Sequence, residues 1–142
     1  MTTLAAQRFL HSGKKPAYVD IKAVAKGDVN MQGAFVNEPI EKHTLVGCYQ
    51  GRISKNRLSS RNDQYLLEFT KTVNEIEETW FCDAKDTKYS NWTRLINSGM
   101  LRSGATTPSV NCQFVQDNGR IYVETTRDIL AKEELLVSYE WW

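Results

Sequence analysis

Residues 110–126 read VNCQFVQDNGRIYVETT, and this stretch decides the fold class. Two runs of alternating apolar and polar residues, Val110–Gln116 and Arg120–Thr126, flank the triplet Asp117-Asn118-Gly119. Alternation with a period of two is typical of strands that bury one face. An Asn-Gly pair between such runs is the strongest short-range indication of a hairpin, because both residues tolerate positive φ angles. The sequence therefore predicts a β-hairpin here.

Further short strands are predicted on both sides of this hairpin, because the same enrichment in branched and aromatic residues recurs along the chain. Downstream, Leu135–Tyr139 closes the pattern. The upstream strands are the alternating run from Tyr18 to Ala23, followed by Leu45–Tyr49, Gln64–Thr70 and Thr79–Asp83. No long helical period is present. The predicted fold class is β-rich, mainly β with short helices.

The segments between the strands are predicted to be irregular or briefly helical. Gly27–Gly33 is rich in turn-forming residues, and Gly51–Asp63 is expected to be an exposed basic loop or a short helix. Trp92–Ile96 fits a single helical turn capped by Ser90. Met1–Pro16 is an N-terminal arm, either a short helix or loose, and the domain proper is expected to span residues 17–142.

The composition excludes several classes of protein. A chain of 142 residues with 41% hydrophobic residues is long enough for one domain with a real core. Lys and Arg number 18 against 17 Asp and Glu, a net charge of +1, so no overall attraction to nucleic acid or to a membrane surface is expected. No apolar stretch approaches the ~18 residues that a membrane-spanning helix needs. We therefore expect neither direct nucleic-acid binding nor a membrane span.

The cysteines and histidines are too few and too scattered to predict a metal site. The three cysteines, Cys48, Cys82 and Cys112, form no C-x-x-C pair, and only two histidines could join them. Small buried thiols in a reducing compartment are the favoured interpretation. Met1–Lys15 has no signal-peptide pattern, so an intracellular location is expected.

Several short motifs, in a fixed order along the chain, carry further information. The sequence contains no G-x-S-x-G, no P-loop and no G-x-G-x-x-G, so no motif indicates acyl transfer or phosphate binding. The informative segments are MQGAFV at 31–36, CYQG at 48–51, WFCDA at 80–84, SNWTRLINS at 90–98, NC at 111–112 and the run from Gly119 to Tyr139. Together these motifs resemble the SET-domain family of protein lysine methyltransferases, and particularly its PR-type branch.

The resemblance implies several small sheets with a pseudoknot-like crossing near the C-terminus. It also implies transfer of a methyl group from S-adenosyl-L-methionine to a protein or peptide lysine, with histone tails as the first substrate to test. A nuclear or host-nuclear location would follow from a histone substrate. Such a transfer depends on alignment of the reacting groups. It also needs a neutral amine, which an aromatic channel favours by desolvation.

The resemblance also implies site residues. Tyr139 matches the tyrosine of the family's final motif and is the expected catalytic residue, orienting the amine. The expected cofactor-binding residues are Asn30, Met31, Gln32, Gly33, Asn97 and Ser98. The expected walls of the lysine channel are Tyr49, Tyr65, Phe114, Val137, Trp141 and Trp142.

Each of these assignments has a structural alternative. Tyr65 fits the core equally well, core packing is the default for Phe114 and Val137, and Asn111 fits a buried residue that fixes the crossing. Trp141 and Trp142 either close the channel, in place of the zinc segment that many relatives carry, or pack in a homodimer interface.

Two departures from the family pattern favour a rival function. Met31 stands at the first glycine of the family's G-x-G, and Ser98 replaces the histidine of N-H-S, before an insertion at Gly99–Pro108. The rival is a PR-type protein-binding module with weak or no transfer activity.

Overall fold

A computed structural model describes residues 4–26, 29–55, 65–99, 109–117 and 119–138, with the backbone alone at 25–26 and 29–31. One helix, α1 (Leu4–Ser12), precedes the strands of this described part. A single 3-10 turn spans Trp92–Leu95. The strands are β1 (Val19–Lys26), β2 (Val29–Val36), β3 (Leu45–Tyr49), β4 (Arg52–Ser54), β5 (Leu66–Val73), β6 (Ile76–Asp83), β7 (Asn97–Ser98), β8 (Cys112–Asp117), β9 (Arg120–Thr125) and β10 (Leu136–Val137).

The described strands form three small sheets. β1 and β2 make an antiparallel hairpin, and β5, β6 and β4 make a second sheet in the order β4-β6-β5. The largest sheet has the order β3-β9-β8-β10-β7. The predicted hairpin is present as β8 and β9, with Asp117 opposite Arg120 and Gly119 at φ 75°. The β-rich class with short helices is therefore confirmed.

The chain crosses itself where β10 enters the largest sheet. β10 runs parallel to both of its neighbours, with Val137 opposite Ser98 of β7 and Cys112 of β8, whereas the sheet's other pairs are antiparallel. The expected C-terminal crossing is thus confirmed. Asn111 fixes it, since its Nδ2 donates to the carbonyl of Glu134 at 2.8 Å and its Oδ1 accepts from the amide of Leu136 at 2.9 Å.

The segment just before β10 also joins the β1–β2 hairpin to the rest of the molecule. Backbone amides of Lys132 and Leu135 donate to the carbonyls of Val36 and Ala34 at 2.7 and 2.8 Å. In return, the amide of Val36 donates to the carbonyl of Glu133 at 3.0 Å. One short segment therefore holds two sheets together.

The core fills the space between the sheets. Its fully buried side chains come from every sheet, and among the largest are Val19, Val36, Val46, Leu67, Phe69, Val123, Ile129, Leu135 and Val137. A second, smaller cluster places Leu10 of α1 against Cys48 and Tyr122. His11 Nε2 lies 2.7 Å from the Tyr122 hydroxyl, and its carbonyl accepts from Gln50 Nε2 at 2.9 Å. The N-terminal arm is therefore helical over Leu4–Ser12 and packs on the sheet.

Four sequence expectations about local structure were wrong. Gly27–Gly33 was expected to be a turn, but β2 already begins at Val29. Gly33 serves close packing in this strand, since a Cβ there would lie 2.5 Å from Glu134 Oε2. The 3-10 turn is capped by Asn91, whose side chain accepts from the amide of Thr93, and not by Ser90.

The other two concern the extent of strands. The last predicted strand, Leu135–Tyr139, is shorter over residues 135–138, where β10 spans Leu136–Val137, and Tyr139 lies outside the described part. The basic segment Gly51–Asp63 begins with a strand, Arg52–Ser54, which pairs with β6. Residues 56–64 of that segment lie outside the described part.

Candidate active site

Residues from three separate chain segments meet where the cofactor was predicted to bind. Asn97 of β7 donates from Nδ2 to the carbonyl oxygen of Gln32 at 3.1 Å and to Glu134 Oε2 at 2.8 Å. The Cβ that Gly33 lacks would lie 3.2 Å from Asn97 Nδ2 and 2.8 Å from Val24 Cγ2. Three predicted cofactor residues, Gln32, Gly33 and Asn97, are therefore brought together on either side of one carboxylate.

Other predicted cofactor residues are placed only in part. Asn30 and Met31 lie in β2, opposite Ala25 and Val24 of β1, and their side chains are outside the described part. Ser98 is exposed and lies next to β10 in the largest sheet.

The predicted channel residues that the structure describes are well packed. Tyr49 is 3% exposed, its hydroxyl donates to the carbonyl of Tyr65 at 2.8 Å, and its ring meets Phe114 edge-on at a centroid distance of 5.4 Å. Phe114 and Val137 are buried in the core, and Tyr65 packs against it half-buried. Core packing, the alternative stated for these residues, accounts for their burial, and the channel role stays a prediction.

The predicted catalytic residue and the terminal tryptophans lie beyond the last described residue, Ser138. Tyr139, Trp141 and Trp142 are therefore outside the described part of the chain. Ser138 follows β10 directly, so the described chain stops beside the strands that carry Asn97 and Cys112.

Sequence reasoning missed two residues with a clear place in this region. Arg94 lies over the ring of Tyr65 at 4.4 Å and donates from Nε to the carbonyl of Ala84 at 2.9 Å. The Glu134 carboxylate accepts a hydrogen bond from the side-chain amide of Asn97. Both stand inside motifs quoted above, SNWTRLINS and the run from Gly119 to Tyr139. The motif letters could have drawn attention to them, but only the fold reveals their partners.

A groove of about 420 Å³ opens elsewhere, between α1 and the residues at the start of β3. Burial, with smaller contributions from Cys112 and Glu38, raises the pKa of Tyr18 on its wall to about 12. No residue of this groove belongs to the predicted site. Because the motif residues gather around Asn97 instead, we place the candidate site there. The groove is lined by Ala6, Phe9, Leu10, Pro16, Tyr18, His43, Thr44, Leu45 and Val46.

The cysteines behave as buried thiols. Cys48, Cys82 and Cys112 are free and buried, and burial raises the pKa of Cys82 and of Cys112 to about 12. Within the described ranges, no three His, Cys, Asp or Glu side chains are grouped so that they could hold a metal ion. Over the same ranges, no helix has the length and apolar character needed to cross a membrane.

Comparison with known proteins identifies the family. The family model described as the PR domain of PR domain zinc finger protein 2 matches residues 20–141. The chain belongs to the PR/SET-domain family. The methyltransferase domain of human PR domain-containing protein 2 superposes with a TM-score of 0.69 at 28% identity, covering 96% of this chain and 86% of that domain.

Two further proteins are similar to this chain. The ATXR5 SET domain, solved with histone H3 dimethylated on R26, shares the fold at 18% identity and a TM-score of 0.67, covering 97% of this chain and 64% of that one. Histone-lysine N-methyltransferase set-17 of Caenorhabditis elegans is 28% identical over 95 residues, 67% of this PR/SET chain. The match spans 31% of that curated relative's length.

Proposed function

We propose that this PR/SET domain transfers a methyl group from S-adenosyl-L-methionine to the side-chain amine of a lysine in a protein. The observation that carries the proposal is the meeting of three motif residues from two distant segments. Asn97 donates to Gln32 at 3.1 Å and to Glu134 at 2.8 Å, and Gly33 packs against the same carboxylate.

The residues present fit the cofactor. Gly33 has no Cβ, which would lie 2.5 Å from Glu134 Oε2, so the backbone of β2 approaches the carboxylate and Asn97 closely. Asn97 is half-buried and offers its Oδ1 as an acceptor. When bound, S-adenosylmethionine supplies a methyl group on a positively charged sulfur. The role of the chain is to bind, to orient and to exclude water, because in-line transfer depends on alignment.

The aromatic residues suit the lysine side of the reaction. The rings of Tyr49 and Phe114 form an edge-to-face pair with a centroid distance of 5.4 Å, and the Tyr49 hydroxyl donates to the carbonyl of Tyr65. Beside such rings an amine is desolvated, which lowers its pKa and favours the neutral nucleophile. Ring faces also attract the cationic methylated product. Phe114 and Val137 have no hydroxyl group and leave room for more than one methyl group.

Histones are the first substrate to test, and a nuclear location follows if they are methylated. The support is the name of the set-17 relative, of which this chain matches only a part. Tyr139 is proposed to orient the lysine amine through its hydroxyl.

A second candidate function is a protein-binding module of the PR type. Met31 in place of a glycine and Ser98 in place of a histidine favour it, since both alter the predicted cofactor site. The two functions differ in their need for cofactor. A ligand that binds only the folded state raises its stability by RT ln(1 + [L]/Kd). A thermal-shift titration with S-adenosylmethionine therefore separates them, and no shift at millimolar cofactor favours the binding module.

The decisive test is incubation of the protein with core histones and isotopically labelled S-adenosylmethionine, followed by mass spectrometry of the lysines. We expect label on a defined lysine. Tyr139→Phe is expected to bind cofactor and to lose about a hundredfold in rate, as expected when a reacting group is misplaced by about 1 Å. Tyr89→Phe is the matched control, because Tyr89 is exposed. Full activity of Tyr139→Phe would overturn the catalytic role.

A further inference from the structure

The carboxylate of Glu134 has an unusual environment for a charged group. It is half-buried at the meeting point of β2 and β7, and its hydrogen-bond partner in the described part of the chain is the neutral amide of Asn97. The neighbouring Glu133, by contrast, lies 3.3 Å from Arg127 and accepts from the amide of Leu130. Among the described residues, the carboxylate of Glu134 is therefore hydrogen-bonded to a neutral asparagine, whereas that of Glu133 is paired with an arginine.

That contact determines which way the Asn97 amide points. An asparagine has a donor end, Nδ2, and an acceptor end, Oδ1, which can exchange places by rotation. Both groups facing Nδ2 are acceptors only, the Gln32 carbonyl at 3.1 Å and the Glu134 carboxylate at 2.8 Å. A rotated amide would set Oδ1 against two oxygens and lose both bonds. The arrangement thus directs Oδ1 away from Glu134, where no donor of the described residues contacts it.

We infer that Glu134 is a positioning residue, which holds the Asn97 amide so that Oδ1 faces the cofactor as a hydrogen-bond acceptor. The inference rests on the proposed function. A carboxylate is suited to this task, since hydrogen bonds to ionised groups are about twice as strong as neutral ones. Gly33 belongs to the same arrangement, because a side chain at this position would displace the Glu134 carboxylate.

The first measurement needs no cofactor. The side-chain amide of Asn97 gives a pair of signals in a ¹⁵N correlation spectrum, assigned by their loss in Asn97→Ser. In the wild-type protein, we expect one proton of the pair to be shifted downfield by the charged acceptor and to exchange slowly with water. Glu134→Gln should remove that shift, and Glu133→Gln should leave it unchanged. An Asn97 signal that does not respond to Glu134→Gln would overturn the inference.

The second measurement is affinity by calorimetry, for S-adenosylmethionine and for S-adenosylhomocysteine. Both carry the same hydrogen-bond donors, whereas only the first carries the positive sulfur. Glu134→Gln should weaken both about fivefold to tenfold, the loss of roughly one oriented hydrogen bond. Glu134→Asp should lose as much, because its carboxylate is one methylene too short to reach Asn97. Glu133→Gln should change neither affinity by more than about twofold.

The outcomes distinguish the inference from the function on which it rests. If the wild-type protein binds neither compound while the Asn97 signals respond to Glu134→Gln, the proposed function fails and the cofactor part of the inference fails with it. If both compounds bind, and Glu134→Asp retains wild-type affinity or only S-adenosylmethionine is weakened, Glu134 acts through its charge on the sulfonium and positioning is refuted. Equal losses for both compounds support positioning. Thermal unfolding of each variant confirms that it is folded.

Discussion

Replacement of Asn111 by alanine tests the crossing directly. Asn111 is 1% exposed, and its side chain pairs with the carbonyl of Glu134 and the amide of Leu136. Alanine leaves both backbone groups without this partner, at about 1–3 kcal/mol for each buried group. We therefore expect Asn111→Ala to lower the free energy of unfolding by about 3 kcal/mol. That is a large share of the ~5–15 kcal/mol of a typical domain.

The assay is urea denaturation followed by tryptophan fluorescence, with Asn37→Ala as the matched control. Asn37 is exposed, although its Nδ2 also donates to a backbone carbonyl, that of Ala17, at 3.0 Å. Its replacement should cost about 0.5 kcal/mol or less, as is usual at the surface. Equal losses in the two variants would refute the reasoning, since burial would then not set the cost.

The variant Asn111→Asp adds a test of sign. A buried carboxylate beside the Glu134 carbonyl has its pKa raised, because burial and the facing oxygen both disfavour its charge. Such a group destabilises the fold most at high pH, where the unfolded chain is ionised, and the penalty falls as the pH drops through the raised pKa. We expect Asn111→Asp to be less stable than wild type at pH 8 and to recover part of the loss toward pH 5. A constant deficit across this range would contradict the assignment.

Three further predictions concern other regions. Gly51→Ala should cost about 2 kcal/mol or more in urea denaturation, because its Cβ would lie 2.4 Å from the backbone oxygen of Asp83, which cannot rotate away. Burial, and then the charge of Arg120, lowers the pKa of His11, so stability should fall as the pH drops below about 6.5. A urea midpoint in His11→Gln with the same pH dependence as wild type would contradict this. Cys82 and Cys112 should resist iodoacetamide at pH 8 in the native state and react in urea, since their pKa values are about 12.

The parts of the fold that the sequence predicted well are those encoded locally. The β8–β9 hairpin was predicted because its turn residues stand between two alternating runs, and β3 because its five residues are contiguous and apolar. Strand β2 was mistaken for a turn, since its glycine indicated flexibility when considered alone. The reason for that glycine is a carboxylate about 100 residues away in the sequence, which no local pattern contains.

The candidate site was predicted by resemblance and only in part. Gln32, Gly33 and Asn97 could be named from motif order, and the structure brings them together. Glu134 could not be assigned a role in this way, because its partner is defined by the crossing and not by spacing. The burial of Tyr49 and Phe114 was likewise not readable from the sequence, where a channel wall and a core residue have the same appearance.

The segment that joins the two sheets has a consequence for how the domain can change over evolution. Residues 132–136 form backbone hydrogen bonds with β2, take part in the crossing through Leu136, and include Glu134, which accepts from Asn97. Proteins open locally in cooperative units, so these contacts should be lost and regained together. A substitution that loosens the crossing then also disorders the residues proposed to bind the cofactor. Under the proposed function, mutational drift in this stretch is constrained twice, once by folding and once by ligand affinity, and a lineage that gives up catalysis is released from only one of the two.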